Sequence, residues 1–314
     1  MLFIKPRIAD GIRRWFTGNG FPWTILVIML VFSTGLWHYS ESVFINMSLD
    51  RFNSRVENQK NLIVNHLNAY KLVLQSSARF IATNDTVYKI NWPAYLSAFK
   101  QEKSLAGIQS MGFIPVDVSG NPILDSVVSD HYSELITTFA QAQDTAKLTL
   151  SPRLTHNKTQ DKADFLFVFP VYRNNLMPAS VELRRKSVTG FVYISFHVTS
   201  FMQGVFSGNA QELDFELFDG VAAPDNLMFS SRNIAITPRY ASRKELNIGG
   251  QLWTLNILSK PEFEASTVSY LPLVIRFSGL GLGLLLFFLL FLNIERQKMI
   301  QVLILKSEQT HTDV

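Results

Sequence analysis

The chain has 314 residues, of which 47% are hydrophobic and only 17% are charged, so it is more apolar than a typical soluble domain, in which about a quarter of the residues are charged. Its formal net charge of +4 is not concentrated in a basic stripe, which argues against nucleic acid as a partner and favours a membrane. The absence of cysteine excludes disulfides, thiolate metal sites and cysteine nucleophiles.

The N-terminal part of the chain predicts a membrane-spanning helix. Residues 1–21 carry an excess of lysine and arginine, and residues 22–39 contain no Asp, Glu, Lys or Arg. A helix of this length can cross the hydrocarbon layer of about 30 Å, and Trp23 and Trp37 lie at its ends as interface anchors do. A cleaved signal peptide is the alternative, but its apolar region is usually shorter, and no cleavage site of small residues follows Trp37.

Residues 270–293 predict a second membrane-spanning helix. Arg276 lies near its start and is interpreted as a side chain that reaches the lipid headgroups. Gly279 and Gly283 form a small-xxx-small pair, which allows two helices to approach each other closely.

The basic residues beside both spans predict the topology of the chain. They place residues 1–21 and residues 294–314, the latter as a continuing helix, in the cytoplasm. Residues 40–269 are then expected to lie in the periplasm of a bacterium whose inner membrane holds the two spans. This is the topology of a two-span receptor.

Apolar residues recur at spacings of three and four after the first span, between Leu49 and Leu74. No proline interrupts residues 23–92, so the membrane helix is expected to continue outward as an amphipathic stalk to about Thr83. A second helix is predicted from Trp92 to Lys103, since tryptophan and proline stand at its start.

The chain becomes rich in strands from Gly107 onward. A curled antiparallel sheet with helices on one face is expected over about residues 105–206, and we name this part the distal unit. Pro170 marks a point at which its strand should end, kink or lie at an edge. Strands are predicted at 108–116, 123–128, 148–150, 165–172 and 190–198, and a helix is predicted at 133–145.

A smaller proximal unit is predicted over about residues 207–265. Residues 213–219 alternate apolar and acidic side chains as a half-buried strand does, and Gly249–Gly250 joins two further strands in a hairpin. This unit is expected to pass on a strain rather than to bind a ligand. The fold class is therefore α+β, with a long stalk helix and two PAS-like antiparallel-sheet units, flanked by two transmembrane helices.

Short motifs follow one another between the two spans: Trp92 and Phe99, then Gly107–Gln109, Gly112–Val116, Leu148–Thr149, Phe169–Tyr172, Gly190–Val192, Leu217–Gly220 and Trp253. This order resembles the CHASE sensory domain over about residues 45–258. CHASE domains lie between two membrane helices in bacterial histidine kinases, diguanylate cyclases and phosphodiesterases, and in plant cytokinin receptors. The resemblance implies a distal PAS-like unit that binds a small molecule and a proximal PAS-like unit. It also implies a kinase or cyclase domain after the second span. Either a longer chain supplies that domain, or the protein acts through a partner.

Three polar residues are candidate ligand contacts. In the cytokinin receptors a threonine before the strand equivalent to 165–172 lines the pocket, and the resemblance places Thr149 there. The acidic residue that reads the adenine ring has no clear counterpart, although Asp117 lies near its position, so cytokinin itself is not implied. Arg153, like the other two, stands near a predicted strand end, where it can orient a ligand in an apolar cleft.

Four aromatic residues complete the candidate site. Strand alternation places Phe165, Phe167 and Phe169 on one face, and Tyr172 closes the same strand. That face either fills the core of the unit or forms the wall of a ligand pocket.

No enzyme signature is present in the sequence. Gly279–Gly283 lies within an apolar span instead of after a strand, and the histidines show no metal-ligand spacing, so neither a cofactor nor a metal is expected. The expected function is a homodimeric membrane receptor module that binds an unidentified small ligand and signals to a cytoplasmic output domain or partner. The alternative is a non-catalytic structural or assembly subunit that binds a protein or envelope component.

Overall fold

A computed structural model describes residues 20–83, 105, 107–124, 131–154, 164–175, 177–206, 212–233 and 236–312. The predicted helix 92–103 and most of the predicted strand 123–128 lie outside these residues. The chain divides into two units: residues 1–50 with 267–314, and residues 51–266.

The predicted stalk is confirmed by a continuous helix, α1, over Gly20–Thr83. Pro22 lies in its first turn, where the missing backbone N–H has no intrahelical acceptor to lose, and no later proline interrupts it. Within the unit of residues 51–266, the apolar positions at spacings of three and four are buried, among them Phe52, Val56 and Ile63.

Four strands form a first antiparallel sheet, in the order β1-β4-β3-β2. Each corresponds to a run of apolar, β-branched or aromatic residues in the sequence. The elements in chain order are β1 (Ile108–Pro115), α2 (Tyr132–Thr145), β2 (Thr149–Leu150), β3 (Asp164–Tyr172), α3 (Val181–Ser187), β4 (Val188–His197) and α4 (Val198–Phe206).

Four further strands form a second antiparallel sheet, in the order β6-β5-β8-β7. The predicted hairpin over Gly249–Gly250 is confirmed as the connection between its two longest strands. Both glycines have positive φ, of 57° and 91°, which suits a tight turn. The elements are β5 (Leu213–Asp219), β6 (Leu227–Ser230), β7 (Ala241–Ile248), β8 (Gln251–Ser259) and α5 (Pro261–Thr267).

Helices cover both faces of the first sheet, whereas the sequence predicted helices on one face. Phe165 and Phe167 of β3 belong to a core shared with α1, α4 and the second sheet. Leu166 and Val168, on the opposite face, pack in a separate cluster with α2, which contributes Phe139. Because both faces are buried, β3 is an almost continuous apolar run in the sequence.

Pro170 lies at the edge position that its chemistry requires. On one side β3 pairs with β4 along its whole length, and Pro170 stands opposite Phe191. On the other side β2 pairs only with Phe167 and Val168, so no described strand needs an N–H from residue 170 on that side.

Two short helices of the first sheet's region were not predicted. The side chain of Ser180 accepts a hydrogen bond from the Leu183 N–H and caps α3, whose basic residues lie near its C-terminal end. Helix α4 buries Val198, Phe201 and Met202 on one face. The sequence contained a signal for each helix: a serine at the N-cap position for α3, and apolar residues at helical spacing for α4.

The C-terminal helix, α6, spans Leu271–Thr312. Two helices of the described residues have segments long and apolar enough to cross a membrane, within Gly20–Thr83 and within Pro261–Ile304. They flank the two sheets in the chain, as the predicted fold class requires.

Small residues allow the two apolar helices to approach closely in their own unit. A β-carbon at Gly279 would collide with the hydroxyl oxygen of Ser33, and that hydroxyl donates a hydrogen bond of 3.2 Å to the Arg276 carbonyl. The Arg276 guanidinium lies 4.5 Å from the centroid of the Trp37 ring. The predicted small-xxx-small pair therefore faces the chain's own first apolar helix in this structure.

Candidate functional site

The hairpin between β7 and β8 fastens the second sheet to the first. The Leu150 N–H of β2 donates a hydrogen bond of 3.0 Å to the Gly249 carbonyl, and the Gln251 amide donates one of 3.5 Å to the Leu150 carbonyl. A β-carbon on Gly249 would lie 2.5 Å from the Leu150 nitrogen. Glycine is therefore required at 249 both for its positive φ and for this close approach.

A cleft of about 580 Å³ opens beside this contact. Its walls are one face of α1, the turn after α2, the β3 face that carries Phe167 and Phe169, and residues 245–250 of the hairpin. Small-molecule sites in proteins usually measure about 300–1,000 Å³, with a few polar groups on mostly apolar walls. The cleft has the size and the mixed lining of such a site.

A second cavity of about 360 Å³ adjoins the cleft, with which it shares Gln75, Ala146 and Phe169. Tyr172 lines this cavity, and its hydroxyl donates a hydrogen bond of 2.7 Å to the Gln143 carbonyl. Burial raises the pKa of Tyr172 to about 12, so the hydroxyl remains a protonated donor at neutral pH.

The three phenylalanines on one face of β3 have different environments. Phe165 lies in the core, with its ring centroid 5.1 Å from that of Trp253, and it lines neither cavity. Phe167 is fully buried, stacks on Phe196 at 5.2 Å and borders the cleft. Phe169 is half-buried and lines both cavities. The same face therefore supplies core packing at one end and cavity wall at the other.

The three polar candidates lie outside both linings. Thr149 is buried in β2, and its hydroxyl donates a hydrogen bond of 3.4 Å to the Lys147 carbonyl. Asp117 is in an exposed turn, where hydrogen bonds from the backbone N–H groups of Asn121 and Ser119 hold the pKa of its carboxyl below the usual value. Its side chain therefore stabilises its own turn.

Arg153 follows β2 and interacts electrostatically with Asp219, the last residue of β5. Burial raises the pKa of the Asp219 carboxyl, and the positive charge of Arg153 opposes that rise. The pair therefore links the first and second sheets at a place that neither cavity reaches.

Charged residues of the cleft were not singled out from the sequence. Lys71 of α1, Lys147 of the turn and Glu245 of β7 line the cleft, and Arg79 of α1 lines the second cavity. No motif within one segment predicts this set, because the walls come from four segments, 64–75, 146–148, 167–169 and 245–250, that are separate in the sequence. The sequence did contain one indication of this site: Lys71, Gln75 and Arg79 are four residues apart, which places them on one face of the stalk helix.

Two apolar helices, each long enough to span a membrane, flank the two-sheet body in the chain, an arrangement typical of two-span membrane proteins. The family model of the CHASE domain matches residues 132–229, from α2 to β6. The predicted resemblance to the CHASE domain, a sensory and non-catalytic module, is therefore confirmed over these residues. A search of curated proteins found no match to the chain.

Proposed function

We propose that the protein is a membrane-anchored receptor module whose cleft binds a small ligand outside the cytoplasm. The observation that carries this proposal is the construction of the cleft from α1, from β3 of the first sheet and from the hairpin of the second sheet. A ligand in the cleft touches all three. It is therefore able to favour one arrangement of these elements over another.

The hairpin tip is the element through which we expect the ligand to act. Two hydrogen bonds involving Leu150 hold the hairpin tip against the first sheet. These are far fewer than the hydrogen bonds that join neighbouring strands within each sheet. A ligand shifts an equilibrium only through its different affinity for two states. Contacts with residues 245–250 and with α1 in one state supply that difference, and α1 carries the change along its length.

The remaining features of the proposal follow from the two apolar helices. Residues 22–39 and 270–293 cross the inner membrane, residues 40–269 lie in the periplasm, and residues 1–21 and 294–314 lie in the cytoplasm. A homodimer passes the signal to a cytoplasmic output domain or partner.

Among the aromatic and polar candidates, Phe167, Phe169 and Tyr172 are proposed as direct ligand contacts because they line the cavities. Thr149 is proposed as a support, since its backbone lies against the hairpin glycine Gly249.

A ligand screen on the full chain in lipid nanodiscs tests the proposal. A compound that binds the folded state raises the melting temperature by mass action. Phe169→Ala should reduce that rise. Phe229→Ala is the matched control, because Phe229 is also a half-buried phenylalanine packed on the same core but lines no described cavity. An equal effect of both substitutions would place the ligand elsewhere, and a screen without any stabilising compound would favour an assembly subunit.

A further inference from the structure

The two cavities are lined by more cations than anions. Lys71 and Lys147 line the cleft together with one carboxylate, Glu245, and Arg79 lines the second cavity. Lys71, Gln75 and Arg79 follow one another at spacings of four on α1, so they share one helix face. On this face, Lys71 lines the cleft, Gln75 lines both cavities, and Arg79 lines the second cavity.

Among the residues that the structure describes, these cations have no ion-pair partner of the kind that other basic residues of the same unit have. Arg55 lies 3.6 Å from Glu212, Arg185 lies 2.6 Å from Asp144, and Lys260 lies 3.5 Å from Asp214. Over the described part of the chain, no carboxylate lies within 4.0 Å of the amino group of Lys71 or Lys147, or of the Arg79 guanidinium. The positive charge of the cavities is thus available to a ligand.

Apolar surface lies beside this charge. Phe169 is half-buried and belongs to both linings, and Phe167 and Leu148 extend the apolar wall of the cleft. Lys71, Arg79 and Lys147 are exposed residues at the edge of this apolar surface, so they can attract an anion, although water screens part of their charge. A flat apolar ligand can pack against Phe169, and an acidic group on that ligand can form ion pairs with Lys71 and Lys147.

We propose that the cleft takes a small aromatic carboxylate, with its ring against Phe169 and its carboxylate held by Lys71 and Lys147. This inference rests on the proposed function, in which the cleft is the ligand site. Glu245 is the one carboxylate among the described residues of the cleft lining, against the two lysines, so the net positive charge disfavours an aromatic amine relative to the acid. The volume of about 580 Å³ accommodates a one-ring or two-ring acid.

The test uses the full chain in nanodiscs and isothermal titration calorimetry with four probes. Phenylacetate and indole-3-acetate are the acids, phenylacetamide is the neutral analogue, and phenethylamine is the cation. The acids should bind about five- to tenfold more tightly than the amide, because each exposed lysine contributes a modest, solvent-screened attraction for the carboxylate. Added sodium chloride should weaken the binding of the acids and leave the affinity for the amide unchanged.

Three variants locate the charge preference. Lys71→Gln and Lys147→Gln should each weaken the binding of phenylacetate by about two- to fivefold and leave that of phenylacetamide unchanged. Lys186→Gln is the control, because Lys186 is an exposed lysine of α3 that pairs with Glu182 and lines neither cavity. It should leave all affinities unchanged.

Two results would overturn the preference for a carboxylate. One is equal affinity for phenylacetate and phenylacetamide, and the other is unchanged binding of the acids in both lysine variants. Absence of acid binding to the unmodified chain would overturn it as well. The proposed function survives each of these results if another compound from the wider screen binds in a way that Phe169→Ala weakens, and it fails if no compound does.

Discussion

The two four-stranded sheets of residues 51–266 have similar size but use their surfaces differently. In the first sheet, β3 and β4 are buried along almost their whole length, on both faces. In the second sheet, β8 is also mostly buried, but the edge strand β7 alternates between exposed and more buried positions over most of its length. Continuous burial on two faces provides a core together with a cavity wall, whereas the alternation in β7 leaves one face of this edge strand in water.

Charged groups on and beside the second sheet form ion pairs: Arg232 lies 3.4 Å from Glu216, Lys260 lies 3.5 Å from Asp214, and Lys244 of β7 lies 3.9 Å from Glu57 of α1. Beside the first sheet, Lys71 and Lys147 line a cleft without such pairs among the described residues. The helices beside the first sheet also hold ion pairs, such as that of Arg185 with Asp144, so the contrast concerns the cleft lining and not the whole sheet.

The largest loss of stability is expected from a substitution in the core that both sheets share. Trp253 of β8 is fully buried, and its ring centroid lies 5.1 Å from that of Phe165 in β3. Trp253→Ala should lower the free energy of unfolding by about 3–5 kcal/mol, since it leaves a large cavity. Denaturant unfolding followed by far-UV circular dichroism measures the change, and one cooperative transition is expected.

Leu252→Ala is the neighbouring control, because Leu252 is 43% exposed on the other face of β8. It should cost less than about 1 kcal/mol. Two separate transitions in the Trp253 variant, with one unaffected, would mean that the sheets do not depend on a common core.

A smaller effect is expected at the contact between the hairpin and the first sheet. Gly249→Ala introduces both a positive-φ strain and a collision with the Leu150 nitrogen. Gly220→Ala introduces the strain alone, since its φ is 74° and no atom lies within 4 Å of the added carbon. The first variant should be less stable than the second by about 1–3 kcal/mol, the usual cost of overpacking.

Chemical denaturation of both glycine variants gives this difference directly. If the two lose equal stability, the hairpin tip does not depend on its contact with Leu150, and the proposed coupling between the sheets loses its basis.

The smallest effect concerns an ion pair at the first sheet. The Arg185 guanidinium donates hydrogen bonds to Asp144 and holds the pKa of that carboxyl below its usual value. A lowered folded-state pKa gives stability that is present above the unfolded pKa of about 4 and is lost as pH falls through the folded value. Asp144→Asn should cost at most about 1 kcal/mol at pH 7, because the pair is partly exposed.

The same substitution should have almost no effect at a pH below both pKa values. Urea unfolding of the variant and of the unmodified chain at a series of pH values from 7 downward measures how far the difference in stability shrinks as the carboxyl takes up a proton. A loss that stays the same as pH falls would show that Asp144 acts through the uncharged contacts of its helix.

The sequence predicted the stalk, the strands and the hairpin because each leaves a local pattern. The stalk has apolar spacing without proline to Thr83, β3 is a short apolar run between turn residues, and Gly249–Gly250 is a turn signal. Helix α3 was missed because its run of charges looks like a solvated loop unless the cap at Ser180 is considered.

The cleft was not predictable in this way. Lys71, Phe169 and Gly249 are far apart in the sequence, and only the docking of the hairpin on β2 brings them into one lining. Alternation along β3 also places Tyr172 on the face opposite Phe169, where it packs with the cluster of α2. The aromatic candidates of one strand therefore have different neighbours, which follows from the fold and not from their sequence spacing.

A structure of the full chain in nanodiscs, determined by electron cryomicroscopy with a compound that raises its melting temperature, tests the proposed ligand site most directly. If the cleft is that site, ligand density should lie in it, in contact with Lys71, with Phe169 and with residues 247–250 of the hairpin. Density on the opposite face of the first sheet, against α2, with the cleft empty, would contradict it.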